Sequence, residues 1–281
     1  MVSGFMGSKR GFLRAAFAAV ATAVAGAGMA MALAPGAQAQ TPPGPDLAAR
    51  PALVAAAANL QPVLAELVPL FEREQTGKSK GKVTLTIGSS ANLVRQIQQG
   101  LPAELFLSAD EDFALRLAAA GLTLGPGVVY ATGRIVLVVP AGSPLLLDAQ
   151  LNGLQAGLSQ VQKFAIANPE LAPYGKAAVQ ALQKQGLWPA LQGKIVLGEN
   201  IAQTTQYVTT GAAQAGITAL SLVLAPEVAA RVRYVLIADN LHAPVRQRMV
   251  LLKNAGPAAR AFYGFLQTPA AQAVLKRYGY G

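Results

Sequence analysis

Ala52-Leu53-Val54-Ala55-Ala56, the helix-spaced Val63, Leu64, Leu67, Val68 and Phe71, and Val83-Thr84-Leu85-Thr86-Ile87 form the stretch that decides the fold. The first five residues are a continuous apolar run of strand length. From about Gln61 to Glu74 the apolar residues return at i, i+1, i+4, i+5 and i+8, which is the period of a helix. Val83 to Ile87 reads as a second strand, Gly88-Ser89-Ser90-Ala91-Asn92 turns the chain, and a helix follows through Leu93, Val94 and Ile97. Leu105-Phe106-Leu107 is a third strand ending at Ser108-Ala109-Asp110, with a helix from about Asp112 to Ala120. Strand and helix thus alternate three times. That order predicts an α/β fold with a mainly parallel sheet and right-handed crossovers.

Working outward, Arg134 to Val139 reads as a strand closed by Pro140, and Ala141-Gly142-Ser143-Pro144 as a linker. A second α/β block follows. Its strands are Phe164 to Ala167, Lys194 to Leu197 and Ala215 to Thr218, and its helices run from about Lys176 to Lys184 and Ala202 to Thr210. Arg248 to Lys253 returns as a strand, and two helices, about Ala258 to Leu266 and Pro269 to Tyr278, complete the pattern. This plan predicts two lobes, each a mixed sheet flanked by helices, joined by a hinge of two crossing segments. Residues 40–143 with 238–281 are expected to form lobe one, and 144–237 lobe two. Ligands of such sheets sit beyond the carboxyl ends of the strands, here between the lobes.

Residues 1–39 carry no acid and only three bases, Lys9, Arg10 and Arg14. The bases precede an uncharged run from Ala15 to Leu33, and Ala37-Gln38-Ala39 is a small-x-small cleavage site. The segment predicts an export signal cut after about Ala39, with an uncleaved anchor as the alternative. Ser8-Lys9-Arg10-Gly11-Phe12-Leu13-Arg14 is similar to a twin-arginine motif with lysine at the first arginine, which leaves the route open. Without this segment 242 residues remain, and the formal charge falls from +10 to +7. The chain has no cysteine and one histidine. Thiol nucleophiles, zinc–thiolate sites, disulfides and a lipid-anchored cysteine are thereby excluded. The positive excess lacks a Lys/Arg run or aromatic stripe, so nucleic acid is not expected as a partner.

Three strand-to-helix turns carry small polar residues: Asn59 in the first, Ser89-Ser90 in the second, and Asn200 to Gln203 in the third. Each alone is explained as a helix cap. Together they bring several helix N-termini, with free N–H groups and positive dipole ends, toward one cleft. That is an anion site without charged side chains. Asp110, Glu111 and Asp112 read as acids favoured at a helix start, and His242 as a solvated loop residue. Tyr278 and Tyr280 are expected to pack or fray rather than hold iron. Tyr174, on a turn before a helix, reads by itself as a packed aromatic.

At these residues the chain resembles the molybdate-binding proteins of bacterial ABC importers, which have a type II periplasmic-binding fold. The resemblance covers about Pro51 to Gly279. It rests on Ala56-Ala57-Ala58-Asn59-Leu60, Gly88-Ser89-Ser90-Ala91-Asn92-Leu93, Arg95-Gln96-Ile97-Gln98-Gln99-Gly100 and Pro102 through Asp110. Asn168 through Gly175, Glu199-Asn200-Ile201-Ala202-Gln203 and Lys276-Arg277-Tyr278-Gly279 follow in order.

The resemblance implies an oxyanion held by Asn59 and Ser90 of lobe one, and by Tyr174 and the N–H of Ile201 of lobe two. Ser89 and Gln203 are secondary candidates. So is Ala58, which stands where some relatives have a threonine and so supplies no hydroxyl. Asn59 with Tyr174 follows one branch of the family; in the other, a tyrosine at the position of Ala219 donates instead. The implied ligand is molybdate, with tungstate beside it, bound as an intact oxyanion with no other cofactor. The implied protein is a periplasmic monomer that serves a membrane permease and catalyses nothing. The competing readings are the same fold with sulfate, phosphate or a small organic anion, and an enzyme acting on a phosphorylated or sulfated substrate.

Overall fold

The computed structural model describes residues 50–74 and 81–281. The export segment expected at residues 1–39 lies outside them. In chain order the elements begin with β1 (Ala52–Ala57), α1 (Gln61–Glu74), β2 (Val83–Gly88), α2 (Ser90–Gln98), β3 (Leu105–Leu107), α3 (Glu111–Ala119), β4 (Val128–Gly133) and β5 (Ile135–Pro140). Next come α4 (Asn152–Ala156), β6 (Phe164–Ala167), α5 (Pro173–Lys184), α6 (Trp188–Leu191), β7 (Ile195–Gly198), α7 (Ile201–Thr209) and β8 (Ala215–Ala219). The chain closes with α8 (Leu220–Val223), α9 (Pro226–Ala229), β9 (Val232–Leu236), β10 (Val245–Leu251), α10 (Pro257–Phe265) and α11 (Pro269–Arg277).

These strands form two five-stranded sheets, β2-β1-β3-β10-β4 and β7-β6-β8-β5-β9. In the first, β2 and β3 flank β1 in parallel, and β10 runs antiparallel to β3 and β4. The second repeats the plan, with β7 and β8 parallel to β6, and β5 antiparallel to β8 and β9. The chain passes from one sheet to the other between β4 and β5, through Arg134, and back between β9 and β10. Arg134 and Asp239, one from each crossing, stand 3.2 Å apart.

The first crossing therefore falls at Arg134 and not at Gly142-Ser143, because β5 belongs to the second sheet. An apolar run such as Ile135 to Val139 looks the same whichever sheet buries it. The edge strands β4 and β9 were not expected; both are half-exposed along much of their length, which dilutes the apolar signal.

Helices cover both faces of each sheet. On β1, Val54 and Ala56 face the cluster of Leu64, Phe71 and Phe262, while Ala55 faces Leu93, Phe106 and Leu117. A strand buried on both faces reads as an unbroken apolar run, as Ala52 to Ala57 does. In the second sheet Leu137, Phe164 and Ile166 pack under α5, and Val136, Val138 and Ala165 pack against Val208 of α7. Phe71, Phe262 and Phe265 lock α1 to α10, with the Phe71 and Phe262 rings edge to face at 5.0 Å. Phe262→Ala is expected to lower unfolding free energy by about 3–5 kcal/mol, because a fully buried ring leaves a cavity; urea denaturation measures it.

Candidate functional site

The parallel pairs β1/β2 and β6/β7 set the site's geometry. Ala57 is level with Gly88, and Ala167 with Gly198, so each pair ends at one height. Every one of these four strands turns there into a helix or helical turn. The turn after β1 is a single 3-10 turn, Ala58–Leu60, that runs into α1. Those after β2 and β7 open α2 and α7, and the loop after β6 opens α5 with Pro173 at its first turn. Gly175 is required there, since a Cβ would lie 2.1 Å from the Ala167 carbonyl oxygen.

The four turns line a small cavity, with only about 10 Å³ open to the centre of a water molecule, bounded among others by Ala58, Asn59, Ser89, Ser90, Tyr174 and Ile201. This is below the ~300–1,000 Å³ usual for organic ligands. No charged residue lines it. The first N–H groups of each helix have no acceptor within their own helix, and here those of Ala58, Asn59, Ser90 and Ile201 belong to lining residues. Four positive helix ends then meet around one small space.

The hydroxyls add to this. Ser90 Oγ accepts from the Ala109 N–H at 3.0 Å, which leaves its proton to give. Among the described residues three buried side-chain polar atoms have no partner, and two of them, Ser89 Oγ and Asn59 Oδ1, belong to lining residues. Of the two, only Ser89 Oγ has a proton that an oxyanion could accept; Asn59 Oδ1 is itself an acceptor and does not point to an anion. Tyr174 is buried, and its hydroxyl accepts from Gln247 Nε2 at 2.8 Å. Burial, followed by the neighbouring Tyr280 and Tyr130, raises its pKa well above the ordinary phenol value, so it stays a donor.

Asn59, Ser90, Tyr174 and Ile201 are thus brought together, along with Ala58 and Ser89. Asn59 presents something other than its side-chain amide. That amide spends both protons on Gln247 Oε1 at 3.0 Å and the Tyr280 hydroxyl at 2.8 Å, which leaves the backbone N–H for the cavity. Gln203 is not among the lining residues. Its Oε1 accepts from the Glu199 N–H at 2.7 Å while Asn200 caps its own N–H at 3.0 Å, so it secures the start of α7. The Glu199 carboxylate turns outward to Asn92 Nδ2 at 2.7 Å. Asp110 caps α3 by accepting from the Phe113 N–H at 3.0 Å, as a helix-start acid should. His242 is half-buried rather than solvated, with Nδ1 against the Ala243 carbonyl.

Sequence reasoning missed the layer behind the cavity. Tyr280, expected to pack or fray, is buried and donates to the Asn59 carbonyl at 2.9 Å, and Tyr130 donates to Gln247 Oε1 at 2.9 Å. Ser221 of the second lobe also donates to the Asn59 carbonyl, at 2.8 Å.

Two mixed sheets of one plan, crossed twice by the chain and meeting at a small uncharged cavity, define a two-lobed solute-binding protein. Residues 52–281 match the family of bacterial extracellular solute-binding proteins. The molybdate-binding protein ModA of Azotobacter vinelandii is 38% identical over 231 residues, 81% of this chain and 88% of that protein. ModA of Rhodobacter capsulatus is 36% identical over 236 residues, covering 83% and 89%. The solved periplasmic molybdate-binding protein of Azotobacter vinelandii aligns with a TM-score of 0.72 at 30% identity, over 82% of this chain and 98% of that one. The chain belongs to the ModA family of molybdate-binding proteins.

Ser90→Ala is expected to weaken oxyanion binding by about 1.5–3 kcal/mol, the worth of a hydrogen bond to a charged group, and titration calorimetry would show it. Burial raises the pKa of Tyr130, Tyr174 and Tyr280 above their unfolded values. Their contribution to stability is therefore complete below about pH 10 and is lost as pH rises beyond it. Alkaline unfolding should coincide with the appearance of tyrosinate absorbance, and ionisation well before unfolding would contradict the buried network.

Proposed function

We propose that the chain is the extracytoplasmic binding component of an ABC importer, which captures molybdate, and tungstate with it, and hands it to the membrane permease. The observation that carries this is the uncharged cavity, where helix N-termini and the Ser90 and Tyr174 hydroxyls from both lobes converge. Molybdate at neutral pH is a dianion with no proton to give, so donors suit it. Hydrogenphosphate also needs an acceptor for its proton, and no carboxylate lines the cavity. Sulfate is a full acceptor as well. Discrimination against it falls to size, because only the larger tetrahedron reaches donors from both lobes at ~2.7–3.0 Å.

Export through residues 1–39, a monomeric state and a purely binding role complete the proposal. The lining residues hold no nucleophile paired with a base, and the relatives named above are binding proteins. Among the described residues no helix is long and apolar enough to cross a membrane.

Titration calorimetry with molybdate, tungstate, sulfate and phosphate tests the assignment. Tight, comparable binding of the first two and weak binding of the others is expected. Affinity for molybdate should stay level from about pH 6 to 9, since serine hydroxyls, N–H groups and a raised tyrosine do not titrate there. Tight sulfate binding without molybdate binding would refute the ligand.

A further inference from the structure

We propose that Gln247 is a positioning residue that makes the cavity selective for unprotonated oxyanions, by holding the Tyr174 hydroxyl as a donor. This rests on the cavity being an oxyanion site. A hydroxyl carries one proton. Gln247 Nε2 donates to the Tyr174 oxygen at 2.8 Å, so that face of the hydroxyl accepts and its proton is left for the cavity that Tyr174 lines.

The orientation of the Gln247 amide agrees with its other partners. Its Oε1 accepts from the Tyr130 hydroxyl at 2.9 Å and from Asn59 Nδ2 at 3.0 Å. Reversing the Gln247 amide alone would set its NH2 against the Asn59 NH2, donor against donor. The side chain is fully buried, although its neighbours Arg246 and Arg248 both turn to Glu111, at 2.6 and 3.0 Å. A register shift in β10 between Gln247 and Arg248 accompanies this placement, as bulges beside binding sites do.

The backbone is also shaped for the contact. Gly133, the last residue of β4, has room for no side chain: a Cβ would lie 2.0 Å from the Tyr174 hydroxyl and 2.7 Å from Gln247 Nε2. Because β10 belongs to the first sheet and α5 packs on the second, this bond also reaches from one lobe to the other. Gln247 touches no ligand in this scheme. It decides which way a ligand-facing hydroxyl points.

Gln247→Glu tests the idea because the new group accepts when ionised and donates when protonated. Facing it are Tyr130 from β4, Tyr174 from α5 and Asn59, with Tyr280 bonded to Asn59 beyond, and no charge among them. Arg246 and Arg248 are held by Glu111. At pH 8.5 the carboxylate accepts a hydrogen bond from the Tyr174 hydroxyl, which turns that proton away from the cavity, and molybdate affinity should fall about 10–100-fold. Toward pH 6 the protonated form donates again and affinity should recover, while the wild type stays level. The ratio of phosphate to molybdate affinity, read by competition, should rise about tenfold or more at pH 8.5.

Unchanged molybdate affinity in Q247E would mean that Tyr174 donates to residue 247 in the native protein too, and would overturn the assignment. A loss with a level pH profile and an unchanged ratio marks a merely structural role and overturns it equally. If Q247E does not fold, Gln247→Met removes the donor at similar volume. A raised phosphate-to-molybdate ratio is then expected, and equal losses for both anions refute the proposal. Absence of molybdate binding by the wild type would instead refute the ligand proposed above. The same comparisons are then read on whichever of the four oxyanions the wild type binds.

Discussion

An anion taken out of water without a countercharge has to be met by N–H and O–H donors from several directions at once. The cost of failing that condition is large, since an uncompensated buried ion costs tens of kcal/mol in a medium of low polarity. In the proposed site that task falls to backbone N–H groups and hydroxyls rather than to lysine or arginine. Two pairs of parallel strands end in register, each strand turns into a helix or helical turn, and the four turns line one small cavity. A parallel sheet with short turns delivers this naturally, because its helices all begin at the same edge. Sheet order, register, the glycine at Gly175 and the buried tyrosines follow from that requirement.

Closure is divided between weak contacts and the ligand site. The Ala91 N–H reaches the Leu171 carbonyl at 3.1 Å, Asn92 reaches Glu199, and Lys176 lies 3.8 Å from Asp112. Exposed pairs of this kind contribute about 0–1 kcal/mol each. Behind the cavity, buried bonds from Ser221 to the Asn59 carbonyl and from Gln247 to the Tyr174 hydroxyl, 2.8 Å each, also join the lobes. A bound ion favours the closed form only by the contacts it gains there, and donors split between two lobes ensure that it gains them.

Much of this was legible in the chain itself. The apolar periods from Ala52 to Leu107 predict the elements, and the small polar residues at Asn59, Ser89-Ser90 and Asn200 predict helix starts that share a cleft. Tyr174 is different: read alone it is a packed aromatic, and only the resemblance placed it in the site. Gln247 and Tyr280 were not legible at all. The returning strand was expected to begin only at Arg248, and nothing local says that Gln247 is buried against Asn59, 188 positions away. The membership of β5 was hidden for a related reason. An apolar run announces that it is buried but does not say by what.

The crossing of the chain at Arg134 has a kinetic side. The second sheet draws all its strands from one continuous segment, Ile135 to Leu236, so it can close on itself as soon as that segment exists. The first sheet must wait. Its strand β10, which joins β3 to β4, is made only after the whole of the other lobe. Until then β3 and β4 have unpaired edges, and Asn59 lacks both Gln247 and Tyr280. Lobe two is in effect an insertion within its host, and the partners that complete the surroundings of Asn59 come last in the chain.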